Sequence, residues 1–203
     1  MAEDTLPLEI DAWLLSGGEG RRMGGQDKGL MLRHGQALAW QVAQALAPQV
    51  RQLSINANRH LDTYAQWPWP VVPDDADLPK LSGPLIGILT GLRRTRCDWL
   101  QLAPCDSPNL PADLVARLHS AALEHGADIA VPFTRDEATG EDRHHWTTAL
   151  IAHQTLPSLA QAVQEGERRV HRWITQQRWI GVCFAPSAAF ANINTPETLH
   201  GHS

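Results

Sequence analysis

Short apolar runs alternate along the chain with stretches in which apolar residues recur at helical spacing. Residues 10–15 form the first apolar run and predict a strand that stops at a cluster of glycines. Residues 36–47 set Leu38, Val42, Ala45 and Leu46 on one face before Pro48, which predicts a helix. Residues 52–55 predict a second strand that ends at Asn56-Ala57-Asn58, and residues 70–72 a short strand that runs into Pro73-Asp74-Asp75. Leu85, Leu89 and Leu92 have helical spacing over 85–92, and residues 98–103 predict a strand running into Pro104-Cys105-Asp106. The segment 111–125 predicts a helix. Pro111 suits its first turn, Asp113 its N-terminal end, Leu114, Leu118 and Ala121 line one face, and Gly126 stops it. Residues 128–132, 147–152 and 179–184 predict later strands, and 156–164 and 169–176 later helices. The charged, glycine-containing stretch 135–145 predicts a mobile loop.

This alternation predicts an α/β fold with a mainly parallel sheet. In such sheets ligands bind beyond the carboxyl ends of the strands. The polar clusters lie at those ends: the glycines after the first strand, Asn56 after the second, Asp74 after the third and Asp106 after the next. No linker, repeat or low-complexity segment divides residues 1–203, so one domain is expected.

Composition narrows the class. With 43% hydrophobic and 19% charged residues the chain reads as a globular protein rather than a disordered one. A formal net charge of −5 argues against nucleic acid as a partner. Cys97, Cys105 and Cys183 form no C-x-x-C pair, and the N-terminus has neither a basic region nor a long apolar core. A cytoplasmic protein without a membrane partner is the expectation. The histidines show no H-E-x-x-H spacing, which speaks against a dedicated zinc site.

The glycine cluster carries the chemistry. Five of the 15 glycines fall between positions 17 and 25, followed by Asp27 and Lys28. A strand feeding such a loop presents backbone N–H groups to an anion, and Arg21, Arg22 and Lys28 add positive charge. A dinucleotide fingerprint would need glycine at position 23, where the chain has Met23. A P-loop would need Ser or Thr after Lys28, where the chain has Gly29.

The remaining pattern, L-x-G-G-x-x-x-R-M-G-x-x-K, resembles the nucleotidyltransferase superfamily. Further segments are similar to the molybdenum cofactor guanylyltransferases. These are Asn56-Ala57-Asn58-Arg59, Ser82-Gly83-Pro84-Leu85-x-Gly87, Pro104-Cys105-Asp106-Ser107-Pro108, Gly166-Glu167-Arg168-Arg169-Val170 and Asn192-Ile193-Asn194-Thr195-Pro196-Glu197. The blocks run in order from about residue 10 to residue 199. The resemblance implies a Rossmann-like three-layer fold of the nucleotide-diphospho-sugar transferase type, with helices on both faces of the sheet. It implies a nucleotide-binding part at about 10–110 and a molybdopterin-binding part at about 111–199. It further implies transfer of GMP from GTP to molybdopterin with release of pyrophosphate. A CTP-dependent cytidylyltransferase is the nearest rival, and a non-catalytic GTP-binding or cofactor-carrier module a rival of another class. The pair Gly17-Gly18 favours guanine by the same resemblance.

Site residues follow by matching positions. Leu15, Ser16, Gly17, Gly18, Lys28, Asn56, Asp74, Gly83 and Asp106 are implied at the nucleotide, with Ser16 standing where the family usually has alanine. Lys28 and Arg22 are implied at the triphosphate, and Asp106 as the ligand of Mg²⁺, the implied cofactor. Asp106 also suits a helix cap, and Asp75 beside Asp74 leaves that register open. Arg168, Arg169, Asn192 and Asn194 are implied at the molybdopterin, although an exposed helix start and a cap before Thr195 would use the same residues. His145 aligns with a family histidine, but Trp146 replaces the proline that commonly follows it. Trp146 or Trp173 would stack on a pterin, or simply pack. A monomer is expected, handling GTP and molybdopterin and meeting other cofactor-maturation proteins and molybdoenzyme chaperones.

Overall fold

The structure, a computed structural model, describes residues 9–16, 27–79, 83–185 and 187–193. One sheet organises them. Its strands are β1 (Ile10–Leu15), β4 (Gln52–Asn56), β5 (Val71–Val72), β6 (Trp99–Pro104), β7 (Ile129–Arg135), β8 (Asp142–His144), β9 (Leu150–Ala152) and β10 (Trp179–Cys183). The order across the sheet is β10-β7-β9-β6-β1-β4-β5, with β8 paired to β7. The pairs β1–β4, β1–β6, β4–β5 and β7–β10 are parallel, and β9 runs antiparallel to both β6 and β7. Two further strands, β2 (Leu32–Arg33) and β3 (Gln36–Ala37), make a separate antiparallel ribbon.

Helices cover both faces. Along β1 the side chains alternate. Ile10, Ala12 and Leu14 pack with α1 (Leu38–Leu46) and α4 (Leu114–His125), whereas Trp13 and Leu15 pack with α3 (Pro84–Arg94) and its neighbours. On that second face Leu159 and Val163 of α5 (Leu156–Gln164) and Val170, Trp173 and Ile174 of α6 (Val170–Ile174) complete the core. A strand buried on both faces needs apolar residues at successive positions, which is why the central strands read as apolar runs. The mixed, mostly parallel sheet between two helical layers is the expected architecture.

Chain order sets the functional edge. From β1 the chain moves outward through β4 to β5, then crosses back to β6 on the other side of β1. The connections therefore diverge between β1 and β6, which places the expected ligand crevice at the carboxyl ends of those two strands.

Four local expectations are corrected. The stretch 135–145 is a hairpin rather than a mobile loop: Phe133 pairs with His144, Thr134 with Arg143 and Arg135 with Asp142. An Arg135–Asp142 ion pair at 2.7 Å and a turn held by Asp136, which accepts from the N–H groups of Ala138 and Thr139, make this polar hairpin. The helix expected from residue 36 starts at Leu38, because Gln36 and Ala37 belong to the ribbon, turned at His34 and Gly35, both of positive φ. The strand expected over 147–152 is confined to Leu150–Ala152, after a 3-10 turn at Trp146–Thr148. The helix expected over 169–176 is confined to Val170–Ile174. By contrast, α4 stops where expected, with Gly126 at φ 58°. Among the described residues no helix is long and apolar enough to cross a membrane.

Candidate active site

The carboxyl ends of β1, β4 and β6 are tied together by their backbones. Ser16 N–H donates to the Asn56 carbonyl at 2.8 Å, and Cys105 N–H donates to the Leu15 carbonyl at 3.0 Å. This fixes the first residue beyond β1 beside the turn that carries Asp106. Beyond the glycine segment, Asp27 caps a 3-10 turn, Lys28–Leu30, by accepting from Gly29 N–H at 3.0 Å. That turn aims Lys28 at β6, where Nζ donates to Asp106 Oδ2 at 2.6 Å. The side chains are 22% and 15% exposed, so the pair lies in the mouth of the crevice, open enough to meet a ligand.

Asp106 uses only one of its oxygens. Its Oδ1 is buried and has no hydrogen-bond partner. A buried carboxylate oxygen without a donor is costly unless a cation or donor completes it. Among the described residues no cluster of three or more metal-ligating side chains occurs. A lone carboxylate oxygen nevertheless suits Mg²⁺, which takes one or two carboxylates and fills its shell with substrate phosphates and water. The orphaned Oδ1 therefore fits the implied metal.

A second polar group lies at the ends of β4 and β5. Asn56, 4% exposed, donates from Nδ2 to the Val72 carbonyl at 3.1 Å and to Asp74 Oδ1 at 2.9 Å. Asn58 donates to Asp74 Oδ2 at 2.7 Å and accepts from Asp74 N–H at 2.9 Å. Asp74 faces the β4 end, whereas Asp75 is bound to Arg94 at 2.6 Å and to Arg93 at 3.4 Å and takes its own N–H to Thr90 Oγ1. Helix α3 passes so close that a Cβ on Gly87 would overlap Asn56 Oδ1, so the site needs glycine there. Gly83 precedes α3 with its backbone against Arg168, whose carbonyl oxygen would lie 3.1 Å from a Cβ on Gly83.

The C-terminal segment reaches the same crevice. Ile193 N–H donates to the Asp106 carbonyl at 2.9 Å, and Ser107 Oγ donates to Asn192 Oδ1 at 2.9 Å. Asn192 thus sits against the Asp106 turn. Arg168 and Arg169 lie on an exposed turn in which both N–H groups donate to Glu167 Oε1, at 2.8 and 2.9 Å. Leu15 is half-buried beneath α3. The expected residues Gly17, Gly18, Arg22 and Asn194 lie outside the described residues.

Cys105 and His145 carry shifted acidities. Burial, with Asp106 next to it, pushes the Cys105 thiol up to about 12, so it stays protonated and is no nucleophile at neutral pH. Burial, aided by Arg143 and His144, lowers His145 to about 4; its ring stacks on Phe190 at 4.6 Å and meets Thr134 Oγ1 at 3.1 Å. His145 is therefore a neutral packing residue. Trp146 stacks on His144 at 5.0 Å and meets Trp179 edge-on, and Trp173 is buried with Nε1 donating to Ser158.

Sequence reasoning missed Asp27 and Tyr64. Tyr64 is the chain's one tyrosine, 0% exposed, on the short helix α2 (Leu61–Tyr64). It donates to Asp27 Oδ1 at 3.0 Å and lies 2.5 Å from Ser16 Oγ. The available signals were the capping position of Asp27 immediately before Lys28 and the uniqueness of Tyr64.

Comparison with known proteins places the chain in a family. The family model described as the MobA-like NTP transferase domain matches residues 12–180. A protein of Cupriavidus necator named molybdenum cofactor guanylyltransferase is 43% identical over 194 residues, covering 96% of each chain. A relative of the same name from Ralstonia pickettii is 42% identical over 195 residues, covering 95% of each. In fold, the chain is similar to the molybdopterin-guanine dinucleotide biosynthesis protein A of Archaeoglobus fulgidus (TM-score 0.73, 21% identity, 93% of this chain and 94% of that one). It is also similar to a CMP:2-keto-3-deoxy-manno-octonic acid synthetase complexed with CTP (TM-score 0.72, 11% identity, 94% and 95%). With a family model spanning most of its length and relatives above 40% identity along nearly all of it, this chain belongs to the MobA-like NTP transferase family.

Proposed function

We propose that this chain transfers GMP from GTP to the terminal phosphate of molybdopterin, forming the guanine dinucleotide. The observation that carries the reading is the Lys28–Asp106 pair at the divergence of β1 and β6, with Asp106 Oδ1 left open. In the reaction an anionic oxygen of the pterin phosphate attacks the α-phosphorus of GTP. A new P–O bond forms, and the bond from the α-phosphorus to the bridging oxygen breaks, releasing pyrophosphate. The attacking oxygen carries no proton at neutral pH, so neither a side-chain nucleophile nor a general base is required. The protein must hold two anions in line and neutralise the charge that develops.

Lys28 and Arg22 supply positive charge at the triphosphate. Asp106 fixes the lysine through Oδ2 and offers Oδ1 to Mg²⁺, which when bound would shield the phosphate oxygens. Asn56 orients Asp74 toward the ribose or base, and Leu15, Ser16, Gly17, Gly18 and Gly83 bind the nucleotide. Arg168, Arg169, Asn192 and Asn194 line the approach of the pterin phosphate, since arginine matches phosphate geometry. This division gives residues of about 10–110 to the nucleotide and about 111–199 to the pterin within one domain. The cytoplasmic setting, the monomeric state and contact with other cofactor-maturation proteins belong to the same proposal.

Pyrophosphate release with molybdopterin as acceptor, GTP and CTP competing in one reaction, tests it. GTP is expected to be the preferred donor. Preference for CTP would mark a cytidylyltransferase, and binding of GTP without turnover a carrier.

A further inference from the structure

Tyr64 sits where two ends of one segment meet. Ser16 is the last described residue before the glycine segment, and Asp27 the first after it. The two are eleven positions apart in sequence. Both reach the same phenolic oxygen: Tyr64 Oη donates to Asp27 Oδ1 at 3.0 Å and meets Ser16 Oγ at 2.5 Å. The proton count sets the direction of the chain. A phenol has one proton, and it goes to the carboxylate, so Ser16 Oγ–H donates to the Tyr64 oxygen. Asp27 Oδ1 accepts a second bond from Gly29 N–H, which starts the turn that carries Lys28. A continuous chain therefore runs Ser16–Tyr64–Asp27–Gly29, one residue from the Lys28–Asp106 pair.

The surroundings keep this chain in place. The Tyr64 ring packs edge-on against Trp67 at 5.0 Å, within the core on the α1 side of the sheet. A Cβ on Gly29 would overlap both Ser16 Oγ and Tyr64 Oη, so no larger residue fits between them. All three polar side chains are buried; Asp27 Oδ1 takes both bonds of the chain, while its buried Oδ2 has no hydrogen-bond partner.

We infer that Tyr64 is a positioning residue of the nucleotide site, its hydroxyl joining Ser16 at the end of β1 to Asp27 at the start of the Lys28 turn and so holding Lys28 in register with the β1 backbone. This rests on the functional reading above. Tyr64 touches no reacting atom, and its part is to reduce the freedom that Lys28 must lose when the triphosphate binds.

The test compares wild type with Tyr64→Phe, which keeps the ring and removes the oxygen, and with Ser16→Ala, which cuts one arm from the other side. Two readouts are taken from each protein. Hydrogen exchange at the Gly29 amide, measured relative to the core amides of β1, is expected to rise about fivefold or more in Tyr64→Phe. The KM for GTP is expected to rise about fivefold to tenfold, with kcat changing by less. The double variant is expected to match Tyr64→Phe alone, because both changes break one chain. An unchanged KM overturns the inference, since a merely structural tyrosine would lower stability and leave the nucleotide untouched. Unchanged exchange at Gly29 overturns it as well. If the wild type transfers no nucleotide, the functional reading has failed and the exchange measurement alone decides whether Tyr64 joins the two ends.

Discussion

At the ends of β1, β4, β5 and β6 the polar side chains are held by side chains from other segments: Asp106 by Lys28, Asp74 by Asn56 and Asn58, Ser16 by Tyr64. On the β7–β10 side the candidate residues are held far less. Arg168 and Arg169 are exposed, with both backbone N–H groups on Glu167 Oε1, while His145 and Thr134 meet each other inside the packing. The difference has a physical reading. A nucleotide site must be arranged before the triphosphate arrives, because misplaced charge adds reorganisation to the barrier. Long arginine side chains on an exposed turn can close on a bulky second substrate after it has docked, with the fork geometry of guanidinium supplying the match to phosphate.

The largest effect is expected where the held side is cut. Asp106→Ala removes both the partner of Lys28 and the open Oδ1, and is expected to lower kcat by about 10²–10³-fold. Asp106→Asn keeps the size and an oxygen but loses the charge, and is expected to fall almost as far. Excess Mg²⁺ is not expected to rescue either variant, whereas chelation of the metal is expected to abolish wild-type turnover. Pyrophosphate release at saturating GTP measures all of these. Near-normal turnover in Asp106→Ala would remove the Lys28–Asp106 pair from the mechanism and with it the contrast between the two sides.

The same contrast explains what could be read from the sequence. The glycine cluster, Asp74 and Asp106 were legible because each follows an apolar run, and a parallel sheet gathers such strand ends at one edge; Lys28 was legible as the cation that closes the glycine segment. The central strands and α4 were legible from apolar runs and from a helical face bounded by Pro111 and Gly126. Tyr64 was not, because residues 61–69 have no clean period and its partners lie 37 and 48 positions away. The hairpin at 135–144 was hidden for the opposite reason. It is held by a cross-strand ion pair and an aspartate turn, so its sequence has the polarity of a loop. The three residues of β9 were too few to reveal that this strand runs antiparallel. Asn56 was visible as a strand-end residue, but only the structure shows its amide turned to Val72 and Asp74.

A smaller effect is expected on the loosely held side. Arg168→Ala and Arg169→Ala are each expected to raise the KM for molybdopterin about tenfold, the scale of one charge-assisted contact to phosphate, with the KM for GTP unchanged. Their melting temperatures should stay near that of wild type, because neither guanidinium is part of the core. A rise in the KM for GTP instead would place this turn at the nucleotide, which the packing of Gly83 against the Arg168 backbone makes a specific alternative. Steady-state kinetics with each substrate varied in turn separates the two.

The smallest effect concerns stability on the same side and follows from His145. Its imidazole is lowered from 6.5 to about 4, by burial first and by Arg143 and His144 second. The unfolded chain therefore takes up a proton near 6.5 that the folded chain refuses until about 4. Between those values the unfolded state binds more protons, so stability falls as the pH is lowered through that window and is unaffected by this group above it. Because the ring is only half-buried, the loss is expected to be about 1 kcal/mol rather than the full value the shift would imply. Denaturant midpoints at pH 7.5 and pH 5, compared between wild type and His145→Phe, isolate it, since the acidic residues titrate alike in both proteins. Phenylalanine keeps the stack on Phe190 and gives up the contact to Thr134, so the variant starts less stable at pH 7.5 but should lose less on acidification. Equal losses in the two proteins would mean that His145 takes up its proton as readily folded as unfolded, and that the β7–β10 side is as open at this position as it is at its arginines.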